Sequence, residues 1–508
     1  MPEVVTTTEA GTIPHNTGEN TPLLYVSPSQ AEIEISKRDS REPYFVVALK
    51  ELKWMSSSSF WTAFALLLQW CIPFINVVSV GHLGTTELGA MIISNTSVAV
   101  IAISPSIGMM GAMETFCSNA YTASRDKSMI GFHFQRGLIA VFIHIAFSIP
   151  VFLNGERLLL AIGQDPIVSQ LTGQYLRIQI LGLLPLLVFE ACKCFLQSQE
   201  IMSAGTIVMM FVVPTHVVIN YFFVKSPTFG IGFQGAAIAN VISECLMLAG
   251  ILIYIRHSCA MESWGGCNPK AIRNMPDFYR LALPAAVTVF ASIFCCELLN
   301  IGSSYFGTAQ LAATAITING GYLVFQMSNG IGYSTSPRIG NLIGAGKPRQ
   351  ARIARDMSIF IVVAIGTLGM LFLTFYGQWW ISVYTNDSEV VDETLKLMPV
   401  FCTFIISDGL NAVLSSILRG LGRQKLSAGS YIFSFYCVAV PLGYYVGFKQ
   451  NKQALGLWWS VCVGVLLSTV VQSTFAYVWV DWKDEVRRCL IRLKRSQDEN
   501  NGSQINDY

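Results

Sequence analysis

The chain has 508 residues, 52% of them hydrophobic and 13% charged, with a formal net charge of +2 and a mean hydropathy of +0.50. Water-soluble domains carry about twice that charged fraction, so the composition excludes a string of soluble domains and points to a polytopic membrane protein. The near-neutral balance gives no basic footprint for nucleic acid, and most of the 13 cysteines sit inside apolar runs without metal or redox spacing, so no cofactor is expected.

Residues 1–55 are polar, with scattered Pro and Thr, and read as a cytosolic N-terminal tail without a cleavable apolar signal. Glu19, Leu23 and Leu24 form an acidic dileucine pattern in this tail. Such a pattern sorts proteins to a vacuole or a similar internal membrane, and that destination is expected over the plasma membrane.

A bilayer core of about 30 Å takes about 20 apolar residues as helix. Runs of that order fall at 60–80, 90–113, 137–153, 175–191, 202–223 and 236–255. A second set falls at 281–303, 311–333, 357–375, 397–418, 431–448 and 455–480. The expected fold is therefore an all-α integral membrane protein, with twelve transmembrane helices in two parallel-repeat bundles of six. The first half covers 56–256 and the second 281–480, with a cytosolic linker at 257–280 and a cytosolic tail at 481–508. Pro73, Pro105, Pro185, Pro214 and Pro441 lie inside spans, where neighbouring helices or water can satisfy the freed backbone groups.

With both chain ends in the cytosol, the inner segments hold 27 of the 33 Lys and Arg residues, as the positive-inside rule requires. Asn386, in Asn386-Asp387-Ser388, is then a glycosylation acceptor pattern on an outward loop.

Three landmarks recur at one separation. The turn Gly84-Thr85 with Leu88 and Ala90 matches Gly307-Thr308 with Leu311 and Ala313, 223 residues on. The polar stretches opening at Asn119 and Asn341 are 222 apart, and Ser203-Ala204-Gly205 and Ser427-Ala428-Gly429 are 224 apart. Agreement on one period indicates duplication, and six-helix repeats share one orientation, with the substrate expected near the midplane between or within the halves.

Charged groups at bilayer depth are costly, so each is a functional candidate. Asp408 and Glu297 stand in apolar runs of the second half, where burial disfavours the charged form and makes proton exchange part of a transport cycle. Glu190 and Lys193, at i and i+3, read as a neutralising pair. Glu114 caps or binds near the exit of the second helix. His144 and His216 read as satisfied core histidines. Asn76, Asn300, Asn319 and Gln326 either line a cavity or bond between helices, and spacing alone does not separate these roles. Tyr322 and Tyr431 offer ring faces to an organic cation.

Taken together, the motifs resemble those of the eukaryotic, fungal-like multidrug and toxic compound extrusion (MATE) family over residues 61–483. They are Gly81-His82-Leu83-Gly84 with Glu87-Leu88, Gly111-Ala112-Met113-Glu114, Phe195-Leu196-Gln197-Ser198-Gln199, Arg338-Ile339-Gly340-Asn341, Leu418-Arg419-Gly420 and Asp481-Trp482. The resemblance implies a monomeric antiporter that exports organic cations, xenobiotics or metabolites in exchange for protons or sodium ions. It gives Asp408 the place of the family's tenth-helix acid and Glu297 that of the second of two seventh-helix acids. Ser292 stands where the first would be. Asn76 stands where bacterial relatives often have aspartate, and Asn319 where some animal members have glutamate, so the first half is expected to be less equipped for ion coupling. A flippase for a lipid-linked precursor and a membrane-embedded enzyme are the competing readings.

Overall fold

Each apolar run of the sequence becomes a helix because a bilayer offers no water to exposed backbone groups, which must therefore pair within their own segment. A computed structural model describes residues 42–226, 230–273 and 275–501, so Glu19, Leu23 and Leu24 lie outside the described residues. The described residues contain no strand.

The first half comprises α1 (Tyr44–Gly81), α2 (Thr85–Ala123), α3 (Ser128–Leu153), α4 (Pro166–Ser198), α5 (Ala204–Lys225) and α6 (Phe233–His257). The second comprises α7 (Met275–Ser304), α8 (Thr308–Gly344), α9 (Pro348–Ser382), α10 (Ser388–Gly420), α11 (Gln424–Lys449) and α12 (Gln453–Trp479). Eleven of these are long and apolar enough to cross a membrane by themselves. The twelfth, α8, has 37 residues but is rich in Gly, Ser, Thr and Asn, because it packs against helices of both halves and not chiefly against lipid.

Two expected tails are partly structured. Helix α1 starts at Tyr44, within the segment read as a polar tail, and buries Val47, Ala48 and Glu51. After the last span, α13 (Trp482–Asn501) buries Trp482, Val486, Cys489 and Leu493 against the bundle and exposes Lys483, Arg487 and Arg488. The linker folds into two short 3-10 turns, Cys259–Ser263 and Pro269–Ile272, with Gly265 and Gly266 at φ of 66° and 78° supplying the left-handed backbone between them.

Two internal prolines leave a visible mark. Helix α2 widens to π geometry over Val98–Ile103, just before Pro105, and α11 does so over Ile432–Ala439, just before Pro441. Proline lacks the N–H that the carbonyl four residues earlier would use, and a wider turn re-pairs the ladder around it.

The halves meet along α1 with α8, α2 with α7, and α2 with α8. Since α1 and α2 correspond to α7 and α8 in the repeat, the first two contacts are counterparts of each other. Both ends of the described chain lie on one face of the bundle, the end face. On that side a single apolar core runs through both halves, joining Phe116, Phe195 and Leu187 to Ile339 and Ile417. Toward the far face the core divides. One cluster, around Tyr175 and Phe233, belongs to the first half, and another, around Phe401 and Trp458, belongs to the second.

Candidate functional site

Close backbone approach seals the end face. Thr62 donates to the Gly330 carbonyl at 2.7 Å, the Ser59 and Ser334 hydroxyls lie 2.8 Å apart, and Thr122 donates to the Asn341 carbonyl at 2.6 Å. Gly108 and Gly330 make this packing possible, because a Cβ on either would meet the backbone of Ala286 or Ala63. Nearer the midplane, the rings of Trp70 and Tyr322 stand 5.7 Å apart across the halves. On the far side of that pair the apolar clusters no longer cross between the halves, and each half packs on its own core.

Glu114 lies inside the seal. It is 1% exposed, is faced electrostatically by Arg419 of α10, and has neither carboxylate oxygen within hydrogen-bond geometry. In this conformation it lines no open cavity. Glu190 and Lys193 form the ion pair read from their spacing, at 2.7 Å, and share Gln69 of α1 as a further partner.

In the second half, Asp408 sits midway along α10, beside Cys295 and Cys296 of α7 and Tyr431 of α11. Tyr431 is buried and stacks on Phe435 at 5.2 Å, and the Tyr436 hydroxyl ties α11 to α7 through the Ala291 carbonyl at 3.0 Å. Glu297, next in sequence to Cys296, is partly exposed. Asp408 is also partly exposed and accepts no hydrogen bond or ion pair from the described residues. One turn toward the end face, by contrast, Asn411 accepts from Ser468 at 3.0 Å and Gln472 at 2.9 Å. The Asp408 carboxylate, with no donor from the described residues, is left open to a proton or a cation.

The first half holds an acid absent from the candidates drawn from the sequence. Glu244 of α6 is 4% exposed, and both its oxygens accept from Gln179 of α4, at 2.7 and 2.9 Å. Asn240 adds a bond at 3.2 Å, and Gly182 leaves the space that the carboxylate fills. The network continues through Asn240 to Asn76 of α1 at 3.3 Å, and from Asn76 to Asn220 at 2.6 Å and His216 at 3.2 Å. His216 reaches Ser243 at 2.7 Å, so both of its ring nitrogens are engaged. Asn76 therefore bonds between helices and presents no surface to a cavity. Glu244 is thus a deep acid of the first half that the sequence reading did not single out. The signal was available, since Glu244 lies in the middle of the 236–255 run.

The other candidates are dispersed. Asn319 is exposed on α8 and donates to the Ala315 carbonyl of its own helix at 2.9 Å. Gln326 is buried and accepts from Asn329 at 3.4 Å, Asn300 is partly exposed near the far end of α7, and Tyr322 packs on Trp70 and Phe325. Asn386 is exposed in the far-face loop before α10, whose first turn Asp387 caps through the Glu389 N–H at 3.0 Å.

The MatE family model matches the chain twice, at residues 62–222 and 284–445. The two matches begin 222 residues apart, the separation found among the internal landmarks. The uncharacterized transporter C4B3.13 of Schizosaccharomyces pombe is 30% identical over 442 residues, covering 84% of this chain and 81% of the relative. Protein DETOXIFICATION 16 of Arabidopsis thaliana is 30% identical over 441 residues, covering 85% of this chain and 88% of that protein. The fold is similar to the crystal structure of the eukaryotic MATE transporter AtDTX14, with a TM-score of 0.80 at 23% identity over 89% of this chain and all of that one.

Proposed function

Because the chain belongs to the MatE family of membrane transporters, and is a transporter and not an enzyme, we propose that it works as a secondary antiporter. It exports organic cations or other small xenobiotics and metabolites in exchange for protons, with sodium as the alternative coupling ion. The observation that carries this reading is the contrast between the two deep acids. Glu244 accepts three hydrogen bonds from side-chain amides, whereas Asp408 accepts none from the described residues.

With the chain ends in the cytosol, the sealed end face is the inner one, and the face where each half packs on its own core is the outer one. In this arrangement a proton arriving from outside neutralises Asp408 and releases a cation held there. The neutral acid is cheap to carry through the reorientation, because an uncompensated charge at that depth costs several kcal/mol by most measures. Facing inward, the acid loses its proton and takes the next cation. Glu297, nearer the far face, draws cations toward Asp408. One charge crossing 100 mV supplies about 2.3 kcal/mol and each pH unit about 1.4 kcal/mol, enough to maintain a solute gradient.

The test is flux of a small panel of organic cations in reconstituted vesicles, under imposed pH or sodium gradients. Countertransport driven by a pH gradient supports the reading, and flux that ignores both gradients overturns it. An internal membrane such as the vacuole remains the proposed site of action. It rests on the Glu19, Leu23 and Leu24 pattern and is tested by imaging the chain with both leucines replaced by alanine.

A further inference from the structure

Arg338, near the end-face terminus of α8, belongs to the second half, yet its guanidinium is held by the first. It donates to Glu51 of α1 through Nε at 3.0 Å and Nη2 at 2.7 Å, and to Glu200 in the α4–α5 turn through Nη1 at 2.6 Å. Trp54, one turn on from Glu51, presents its ring 4.5 Å from the guanidinium carbon. Asn341, one turn on from Arg338, reaches the same Glu200 oxygen at 3.4 Å. Glu200 itself holds a left-handed backbone at φ 65°, a conformation that residues other than glycine seldom adopt.

We propose that Arg338, Glu51 and Glu200 form a latch that holds the end face closed, and that its release governs how readily the transporter opens there. The planar guanidinium presents a fork of donors, and the two acids engage both of its edges at once, which a lysine ammonium cannot reproduce. Both acids come from one half and the arginine from the other, so separation of the halves on this side breaks every bond of the set together. The latch can also be opened, because it stands at the rim. The side chains of Arg338 and Glu200 are 17% and 32% exposed, so water replaces the lost partners as the halves part. The left-handed turn places Glu200 against Arg338 in this conformation. This inference rests on the proposed alternation between inward and outward access, but not on the identity of the coupling ion or the substrate.

The test places a reporter thiol in the seal. Ser334→Cys, at a site that is fully buried against Ser59, is labelled with a membrane-impermeant maleimide added to the end face, and the modified peptide is quantified by mass spectrometry to separate it from native cysteines. Arg338→Gln in this background is expected to speed labelling roughly tenfold, through a larger population open at the end face. The pair Glu51→Gln and Glu200→Gln, which leaves Arg338 in place, is expected to do the same and carries the test should Arg338→Gln fail to fold. Labelling within about twofold of the parent in the folded variants overturns the latch. Because labelling needs neither substrate nor gradient, that result leaves the antiport reading standing, and a failure of antiport leaves the labelling result standing.

Discussion

The side-chain amide of Gln179 on α4 donates to both carboxylate oxygens of Glu244 on α6, at 2.7 and 2.9 Å. Asp408, the deep acid of α10, has no such partner among the described residues. The two acids are not repeat counterparts, since α4 corresponds to α10 and α6 to α12. Duplication supplied the scaffold, and these two acids fall on helices that are not equivalent in it. An acid whose lone pairs are occupied by fixed amides contributes to packing between helices, whereas an acid with free lone pairs can exchange what it binds.

Asp408→Asn removes the exchangeable proton while keeping the shape. Cation uptake driven by a pH gradient in proteoliposomes should fall by at least about tenfold, equivalent to some 1.4 kcal/mol of lost driving interaction. Thermal stability should be unchanged or slightly higher. Full retention of pH-driven uptake would remove Asp408 from the coupling role.

Gln179→Leu leaves the Glu244 carboxylate buried without two of its donors. A buried acceptor stripped of partners costs about 1–3 kcal/mol, more when charged. Detergent-solubilised protein should therefore unfold at a visibly lower temperature. Glu244→Gln should reduce pH-driven uptake far less than Asp408→Asn does. Equal losses in the two variants would assign coupling to both halves.

Gly330→Val drives a branched side chain into the backbone of Ala63, where α8 crosses α1 and Thr62 donates to the Gly330 carbonyl. Overpacking of this kind typically costs about 1–3 kcal/mol, and here the strain falls on the end-face seal. The seal should therefore loosen, with faster maleimide labelling of the Ser334→Cys reporter. A variant that transports and labels like the parent would show that this close approach is not needed to close the end face.

Asn386 is exposed before the capped first turn of α10, on the face opposite the chain ends. Expressed in a eukaryotic host, the protein should shift in mobility on endoglycosidase treatment, and Asn386→Gln should abolish the shift. Modification of an end-face reporter sequon in its place would invert the proposed orientation.

The span count and the duplication were legible in the sequence because each is a property of the chain read along its length. A run of about 20 apolar residues crosses a bilayer wherever its neighbours lie, and a repeat of 222 to 224 residues survives in spacing alone. The features that were not legible share one cause. Asn76 could be placed in a cavity or between helices until His216, Asn220 and Asn240 were found around it. Glu244 met the same depth criterion as Asp408, but that criterion cannot tell a satisfied acid from an open one. That distinction depends on donors far away in sequence, such as Gln179 for Glu244 and, at the end face, Glu51 for Arg338. The sequence by itself determined how many helices cross the membrane and which carry charge. Only the tertiary structure decided which charges are paired between helices, because a hydrogen bond is a relation between atoms about 3 Å apart in space, whatever their separation along the chain.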